Sequence, residues 1–437
     1  MASPDRLLGI SDEVAWLGEA TARHNGAMLD DYFKTAATPV RLRASLVGPY
    51  LDAFTEHLAG HGYAWFTVRQ YIGGPVHLAR WMEREHIAVV ELDEHVLDRF
   101  REHLRRCRCR VKHNGSKAMR GPKALDGCLR FLESLRAAGI ARPPEVPELP
   151  PEIRAFEEWM RAHRGTAQRT LADYRRHLLV LLGDGLAVED LDARHLRDHV
   201  VRHSQPHRAQ ALVMVRALRM FVRFLVAVGR CDAHLDRAVP TVAHWRLRSL
   251  PSYLPAKEIE RVISACSRST SIGRRDRAII LLLVRLGLRR SDVQTLTLDD
   301  IDWKRGRLRV AGKTRRTTWL PLPQEVGDAL LSYLKRGRPR SHNERVFLRT
   351  VAPYRELSSS GIGRLTSTAL ARAHVSPQSS GTHLFRHTAA TEMLRKGASL
   401  DEIGQVLRHV SRDTTMQYAK VDLRTLRAIV LPWPVST

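Results

Sequence analysis

Prolines cluster between residues 141 and 151, where the chain reads ARPPEVPELPP, and this segment most constrains how the chain folds. Five of its last nine residues are proline. Proline lacks a backbone N–H and clashes with the preceding helical turn, so the segment is predicted to be a stiff, extended spacer that no helix crosses. A second segment, residues 239–255, carries three prolines around a basic stretch. The sequence therefore predicts separate folded regions joined by linkers at 141–151 and 239–255.

The length of the chain agrees with that division. A chain of 437 residues suggests roughly three domains, and 43% hydrophobic residues suffice to build their cores. We expect an N-terminal helical domain over residues 1–140, a helical domain over 152–238 and a third domain over 256–437.

The charge of the chain is strongly positive. Lys and Arg number 71 against 46 Asp and Glu, which gives a net charge of +25 and a pI of about 10.7. Such an excess favours a polyanionic partner, most often nucleic acid. It does not separate a protein that only binds this partner from one that acts on it.

The apolar segments and the cysteines bear on location. The longest uninterrupted apolar run, Ala278–Val284, is much shorter than the roughly 20 residues that span a bilayer. The N-terminus lacks the apolar core of a signal peptide. Five cysteines suit a reducing compartment, so we expect a cytoplasmic protein with no membrane partner. Cys107 and Cys109 form a Cys-x-Cys pair without a second pair at a metal-ligand spacing, so no zinc site is expected there.

The first two predicted domains resemble each other. Matching residues recur in the same order with small length differences, which predicts an internal duplication, although amphipathic helices also resemble each other by chance. The matches are Ala53-Phe54 with Ala155-Phe156, Thr67 with Thr170, Tyr71 with Tyr174, Leu92-Asp93 with Leu191-Asp192, Phe131 with Phe221, Leu135 with Leu225, and Gly139 with Gly229.

A helix over residues 208–228 carries a candidate DNA-binding face. Apolar residues at alternating steps of four and three predict a buried stripe at Ala211, Val215, Leu218, Val222 and Leu225. Arg216, Arg219 and Arg223 follow one residue later and form a basic ridge beside that stripe, either an ordinary solvated face or a contact for DNA phosphates. Further candidates for DNA contact are Arg246 and Arg248 in the second linker, Arg315, and the basic segment 101–123.

The C-terminal third carries a predicted hairpin. Residues 307–310 alternate polar and apolar as a strand does, and residues 318–322 supply the return strand. Lys313 lies near the tip between them. The string AGKT there does not fit a P-loop, because a strand follows Lys313 where a helix is required.

Several chemistry-bearing residues follow the hairpin. His383 and Arg386 open a predicted helix that runs through Arg395 and share one face of it. A second helix, residues 400–407, leads to His409, and Tyr418 comes nine residues later. Cleavage of a phosphodiester without metal needs a nucleophile, cations on the non-bridging oxygens and a proton donor for the leaving oxygen. This region holds all three, and it has no evident acidic cluster for a two-metal site.

The region resembles the tyrosine recombinases, the phage-integrase family. The resemblance is carried by Arg289 within GLRRSD, Lys313 on a hairpin, HLFRH at 383–387, His409 and Tyr418. It covers about residues 250–437 in detail, and residues 152–230 resemble the core-binding domain of the family more loosely. The resemblance implies a mainly α fold with a small antiparallel β-sheet in the catalytic domain, preceded by one or two helical core-binding domains.

The resemblance also implies a role for each residue. Tyr418 would attack the scissile phosphate to give a 3′-phosphotyrosine and a free 5′-hydroxyl. Arg289 and Arg386 would hold the non-bridging oxygens, with Arg290 as the alternative to Arg289. Lys313 would protonate the leaving oxygen, unless Arg315 or Arg316 does. The remaining assignments are proton transfer from the tyrosine for His383, a hydrogen bond to the phosphate for His409, and structural roles for Asp292 and His387.

The implied partners and alternatives complete the expectations. The family acts on double-stranded DNA without metal, ATP or another cofactor, as four protomers on two duplexes, and some members need sister recombinases or accessory proteins. Residues 423–431 would form a helix that either docks on a neighbouring protomer or caps its own domain. A type IB topoisomerase shares much of this chemistry, and a DNA-binding assembly partner that no longer cleaves is the alternative from another class.

Overall fold

The structure is a computed structural model that describes residues 28–107, 122–144, 148–183, 186–204, 208–242, 251–311, 317–377, 381–409 and 411–421. It is mostly helical, with one three-stranded antiparallel sheet, as the sequence predicts. The chain divides into two compact units, one formed by Glu145–Arg248 and the other by Met1–Pro144 together with Ser249–Thr437. The domain limits drawn from the sequence stay predictions. Among the described residues, no helix combines the length and the apolar character that crossing a membrane requires.

The N-terminal part of the larger unit consists of helices packed around one core. Their apolar faces bury residues such as Leu51, Phe54 and Phe131. The helices are α1 (Ala37–Arg43), α2 (Leu51–Gly60), α3 (Trp65–Glu85), α4 (Glu94–Arg106) and α5 (Pro122–Ala137), with 3₁₀ turns at Leu29–Tyr32, Gly48–Tyr50 and Val89–Glu91.

The smaller unit has its own helical core. Its helices are α6 (Pro151–Arg164), α7 (Gln168–Leu182), α8 (Ala193–His203) and α9 (Arg208–Ala227), with 3₁₀ turns at Val188–Asp190 and Leu235–Ala238. The predicted stripe of α9 is buried, which confirms the helical periodicity; its members Ala211, Val215, Leu218, Val222 and Leu225 are each at most 5% exposed.

The duplicated residues occupy equivalent places in the two helical cores. Phe54 meets Phe131 edge to face at 5.3 Å, with 81° between the rings. Phe156 meets Phe221 in the same way at 5.5 Å and 89°. In each segment the last helix, α5 or α9, packs its phenylalanine against the phenylalanine of the helix that carries the Ala-Phe pair, α2 or α6. The two segments therefore repeat one packing contact as well as one sequence pattern.

Helix ends repeat in the same way. Asp93 and Asp192 cap α4 and α8, each accepting a hydrogen bond of 2.8 Å from the backbone N–H three residues later. Gly139 and Gly229 follow α5 and α9 with φ of 71° and 73°, a left-handed conformation that favours glycine. These matched caps support the internal duplication.

The C-terminal part of the larger unit surrounds a buried helix. Helix α11 (Ser271–Arg285) is apolar on most sides and lies at the centre of the core, as an all-round hydrophobic helix should. It ends two residues before Gly287, whose φ of 57° turns the chain toward the site. The remaining helices are α10 (Ala256–Ser264), α12 (Arg290–Thr295), α13 (Gln324–Arg336), α14 (Ser359–Arg372), α15 (Thr382–Arg395), α16 (Leu400–Leu407) and α17 (Asp413–Met416), with 3₁₀ turns at Leu298–Asp300 and Gln417–Val421.

The sheet contains the predicted hairpin. Strand β2 (Arg307–Ala311) pairs antiparallel with β1 (Ile301–Asp302) on one side and β3 (Thr317–Pro321) on the other. Leu308 opposes Leu320 and both face the core, which fixes the register. The tip of the hairpin, with Lys313, lies outside the described residues.

Candidate active site

The turn after α11 positions the first arginine of the site. The backbone N–H of Arg289 donates to Asp292 Oδ2 over 2.9 Å, which holds the start of α12. The Nη2 of Arg289 donates to the backbone carbonyl of Arg408 over 2.7 Å. Arg289 is therefore fixed by residues from two distant parts of the chain.

Asp292 and Arg408 form a buried ion pair that braces this arrangement. Arg408 Nη2 lies 2.6 Å from Asp292 Oδ2, and the two side chains are only 7% and 6% exposed. Arg408 follows α16 with φ of 54°, which directs its carbonyl to Arg289. One carboxylate thus anchors both arginines.

Arg386 lies in the second turn of α15 and is 5% exposed. Its two terminal nitrogens donate to the carbonyls of Gly287 and Leu407. Burial, with the nearby positive charge of Arg289, lowers the pKa of Arg386 to about 10. The guanidinium stays charged at neutral pH, and its fork fixes the ends of α11 and α16 around the site.

Tyr418 lies beside these arginines and is almost fully buried, at 1% exposure. Its hydroxyl is 2.9 Å from Nδ1 of His387, one turn beyond His383 on α15. The ring of His409 stacks on that of Tyr418 at 6.3 Å and 8°, and its Nδ1 lies 2.7 Å from the Thr415 hydroxyl. Burial raises the pKa of Tyr418 to about 12, against a smaller opposing effect of Arg386.

The three histidines near Tyr418 all have lowered pKa values. Burial is the main cause in each, followed by neighbouring charges that include Arg386. The pKa falls to about 4 for both His387 and His409. These imidazoles are therefore neutral at pH 7 and able to accept a proton.

The cluster contains buried donors without partners among the described residues. They are Nη1 of Arg289 together with Nε and Nη1 of Arg408. An unpaired buried donor costs about 1–3 kcal/mol, more when charged, so each of them needs an explanation such as a bound water or anion. An anion such as phosphate would offset the positive charge of the cluster.

The structure therefore brings together five of the six residues predicted to be catalytic: Arg289, His383, Arg386, His409 and Tyr418. The sixth, Lys313, lies outside the described residues, as do Arg246, Arg248 and Arg315. The strand ends that flank the hairpin tip, Ala311 and Thr317, line a cavity of about 340 Å³ with Asp292. The strand ends beside the tip therefore share this cavity with Asp292, the carboxylate that holds Arg289 and Arg408.

The three arginines of the basic ridge on α9 differ in their surroundings: one is exposed, and two have hydrogen-bond or ion-pair partners. Arg216 is exposed. Arg219 donates to the carbonyl of Val239 and the hydroxyl of Thr241, and Arg223 pairs with Asp236 at 3.1 Å. Arg219 and Arg223 thus hold the chain that follows α9, and the DNA-binding role of the ridge stays a prediction.

Sequence reasoning missed two residues of the site. The structural role of His387 stays a prediction, and the sequence does not indicate that its Nδ1 lies 2.9 Å from the Tyr418 hydroxyl. Arg408 was not considered, although it pairs with Asp292 and directs its carbonyl to Arg289. The position of Arg408 directly before His409 is the one local sign that it belongs to the site. Its partner Asp292 lies 116 residues earlier in the chain, and no local sequence pattern indicates such a contact.

Comparison with known proteins places this site in context. A family model described as the phage integrase family matches residues 252–424. A protein of Sinorhizobium fredii described as an integrase/recombinase, y4rA, is 39% identical over 404 residues, which cover 89% of this chain and 95% of that protein. The tyrosine recombinase XerC of Azotobacter vinelandii is 30% identical over 64% of this chain and 94% of its own length. The solved structure of a lambda integrase tetramer bound to a Holliday junction is 20% identical over 68% of this chain and 87% of its own, with a TM-score of 0.49.

Proposed function

Because the chain belongs to the phage integrase family of tyrosine recombinases, which break and rejoin DNA strands, we propose that Tyr418 is the nucleophile that cleaves the DNA. The observation that carries the proposal is the placement of its hydroxyl beside His387, with Arg386 close enough to influence its pKa. Attack by the phenolic oxygen forms a bond to phosphorus and breaks the bond to the 5′-oxygen. The 3′-phosphotyrosine conserves the energy of the phosphodiester, so rejoining needs no ATP.

Arg289 and Arg386 are proposed to bind the scissile phosphate. Burial, together with the nearby charge of Arg408, lowers the pKa of Arg289, and burial together with the charge of Arg289 lowers the pKa of Arg386, which indicates a cluster of positive charge. Asp292 is its main counter-charge among the described residues and is already paired with Arg408. The free Nη1 of Arg289 is a donor suited to a non-bridging oxygen. The developing negative charge of the transition state would be stabilised by these fixed donors.

The histidines are proposed to handle the tyrosine proton and the phosphate. His387 holds the hydroxyl of Tyr418 and, being neutral at pH 7, is able to take its proton. The family resemblance implies His383 as the alternative acceptor of the Tyr418 proton. His409 is proposed to donate to the phosphate from Nε2, since its Nδ1 contacts the Thr415 hydroxyl.

Lys313 is proposed to protonate the departing 5′-oxygen. Support comes from the family resemblance and from the cavity shared by Asp292 with both strand ends next to the hairpin tip. A lysine between the two strands of the hairpin would reach the leaving oxygen without binding the non-bridging oxygens of the phosphate.

The two helical segments are proposed to bind DNA. Their matched aromatic pairs and caps support a second copy of one DNA-binding fold in residues 1–140. The +25 net charge supports a long contact with the DNA backbone. We propose that the functional assembly is a homotetramer on two DNA duplexes, which is consistent with membership of the family. Some members of the family also need partner recombinases or accessory proteins. A cytoplasmic location is proposed with it.

A nicked substrate tests the nucleophile. Full-length protein with a cognate site that carries a nick beside the scissile phosphate should form a covalent adduct that survives detergent, and Tyr418→Phe should not form it. The matched control is Tyr333→Phe, which alters another fully buried tyrosine of the same unit and should leave the adduct intact. An adduct in Tyr418→Phe would refute the assignment.

The same protein distinguishes recombination from relaxation. Two cognate sites on one plasmid should give exchanged products and a Holliday-junction intermediate. A protein that only relaxed supercoils, without exchange between sites, would contradict the proposed recombination. Cleavage by the folded protein should persist in excess chelator, because Tyr418, the arginines and the histidines supply the chemistry.

A further inference from the structure

We propose that His77, His103 and Cys107 form a binding site for one zinc ion in the N-terminal helical segment. His77 lies on α3, His103 lies in the last turn of α4, and Cys107 follows directly after that helix. One potential ligand atom from each residue lies within 4.8 Å of the others. The site is apart from the recombination chemistry and does not depend on it.

The distances match those that a shared metal ion imposes. Cys107 Sγ and His77 Nε2 are 3.4 Å apart. With Zn–S of about 2.3 Å, Zn–N of about 2.0–2.1 Å and a tetrahedral angle, the two ligand atoms of a zinc ion are about 3.5 Å apart. The pair therefore needs almost no movement to bind the ion, and a ring nitrogen of His103 lies within 4.8 Å of both ligand atoms.

The kind of ligand selects the metal. One thiolate and two imidazoles form a borderline-soft set that suits zinc and disfavours magnesium and calcium, which prefer oxygen. His103 and Cys107 are four residues apart, so they leave the end of α4 on one side. Among the described residues, these three supply three of the four ligands of a tetrahedral ion.

The surroundings support a fixed site. His77 is 1% exposed and meets the ring of Phe100 edge to face at 5.3 Å. His103 lies against Phe100 and Trp81 at ring distances of 5.7 and 6.1 Å. The aromatic wall holds both imidazoles in place and keeps water from one side of the ion, which strengthens ligand binding.

The internal duplication supplies a comparison within the same chain. The offset that aligns Tyr71 with Tyr174 places Val180 opposite His77, and the offset that aligns Leu92 with Leu191 places Arg202 opposite His103. The second copy nevertheless carries histidines on the same two helices, His177 on α7 and His199 and His203 on α8, with the rings of His199 and His203 4.4 Å apart. What it lacks is the thiol, because the offset that aligns Leu92 with Leu191 places Pro206 opposite Cys107. Cys107 is therefore the ligand that distinguishes the first copy.

A bound ion would tie α3 to the end of α4. His77 precedes His103 and Cys107 by a long stretch of chain that includes the turn between the two helices. Closing this loop through a metal links binding energy directly to folding. We infer that the ion stabilises the N-terminal segment where α4 leads into residues 108–121.

Cobalt provides the test, because thiolate-bound Co²⁺ gives a charge-transfer band in the near ultraviolet and takes the place of zinc. Full-length protein, freed of metal by a chelator and kept reduced, is titrated with Co²⁺ alone and then with Zn²⁺. We expect one Co²⁺ per chain, a thiolate band, and displacement by one Zn²⁺. Cys107→Ser should abolish the band and weaken binding at least tenfold, and His103→Gln should weaken it at least tenfold.

Cys231→Ser is the matched control, since it removes another half-buried cysteine from the second helical copy and should bind as the wild type does. Circular dichroism checks that each variant is folded. Absence of the band in the wild type would overturn the proposal, as would Cys107→Ser that binds Co²⁺ with unchanged affinity and spectrum. Either result would leave the Cys107–His77 contact as a simple hydrogen bond. The titration does not use DNA, so its outcome is independent of the proposed recombinase mechanism.

Discussion

Replacing Asp292 with asparagine removes the charge that anchors both Arg289 and Arg408. The carboxylate is buried and accepts from Arg408 Nη2 at 2.6 Å and from the backbone N–H of Arg289 at 2.9 Å. Breaking a buried ion pair by removing one partner costs about 3–5 kcal/mol, because the other charge stays buried without compensation. The asparagine oxygen still accepts the backbone N–H, a bond worth about 1 kcal/mol, so we expect a loss near the lower end, about 3 kcal/mol.

Thermal unfolding of the full-length protein measures this loss. For a unit of about 330 residues, each kcal/mol shifts the midpoint by about 1–2 °C, so Asp292→Asn should lower it by about 3–6 °C. Asp292→Ala also removes the acceptor for Arg289 and should cost about 1 kcal/mol more. Asp299→Asn is the control: this exposed carboxylate lies seven residues further on, and its loss should change stability by less than about 0.5 kcal/mol.

A double-mutant cycle with Arg408→Gln isolates the pair. Asp292 and Arg408 should show a coupling free energy of about 2–3 kcal/mol, within the range measured for contacting residues. Because Arg289 loses its fixed position, adduct formation on a nicked site should also slow at least about tenfold, which corresponds to about 1.4 kcal/mol. A stability loss below about 1 kcal/mol with negligible coupling would refute the role of Asp292 as the anchor of the cluster.

Three further predictions concern the same residues and the candidate DNA-binding face. Because the pKa values of His387 and His409 fall from about 6.5 to about 4 on folding, their contribution to stability is complete above pH 6.5 and is lost as the pH falls toward 4. After allowance for partial solvent exposure, we expect the free energy of unfolding to be about 3 kcal/mol lower at pH 4.5 than at pH 7. Denaturant unfolding at the two pH values measures this difference, and an unchanged free energy would contradict the burial of neutral imidazoles. Arg386→Lys should slow single-turnover cleavage at least about tenfold and lower the unfolding midpoint, because one ammonium cannot replace a fork bound to two carbonyls; wild-type rates would contradict this. Arg216→Ala should reduce the salt dependence of DNA binding by about one unit without loss of stability, whereas Arg219→Ala should destabilise the unit, and an unchanged salt slope in Arg216→Ala would remove this residue from the DNA contact.

The parts of the structure that depend on local periodicity could be predicted from the sequence. The buried stripe of α9 follows from a repeat of 3.6 residues and strands β2 and β3 from a repeat of 2, and the structure confirms them together with helices α15 and α16. The family signature then selected Arg289, His383, Arg386, His409 and Tyr418, which do come together.

The parts that depend on distant contacts could not be predicted. Asp292 and Arg408 meet only because α16 packs beside α15 and ends in a left-handed residue, which no local pattern indicates. His387 follows Arg386 directly, and its role depends on where residues 417–421 place Tyr418. The same holds for His77, which lies far in sequence from His103 and Cys107.

Tyr418 is 1% exposed, so the contact with His387 describes the resting protein, and a phosphate reaches the hydroxyl only after the ring or the segment that covers it moves. With Tyr418 as the nucleophile, its burial therefore sets how often the protein is able to react. The ring packs among Ala390, Ile403 and Leu407, and full burial of a large side chain is worth about 1.5–3 kcal/mol, with about 1 kcal/mol more from its hydrogen bond. A cost near 3 kcal/mol leaves the tyrosine outside its pocket in roughly one molecule in 150 at any moment. On DNA whose contacts do not favour the exposed tyrosine, the apparent cleavage rate is the intrinsic rate multiplied by this fraction. A DNA site is cut at the full rate only when its contacts with the protein offset the free energy of exposing Tyr418. The protein would therefore distinguish DNA sequences by the rate of cleavage as well as by the affinity of binding.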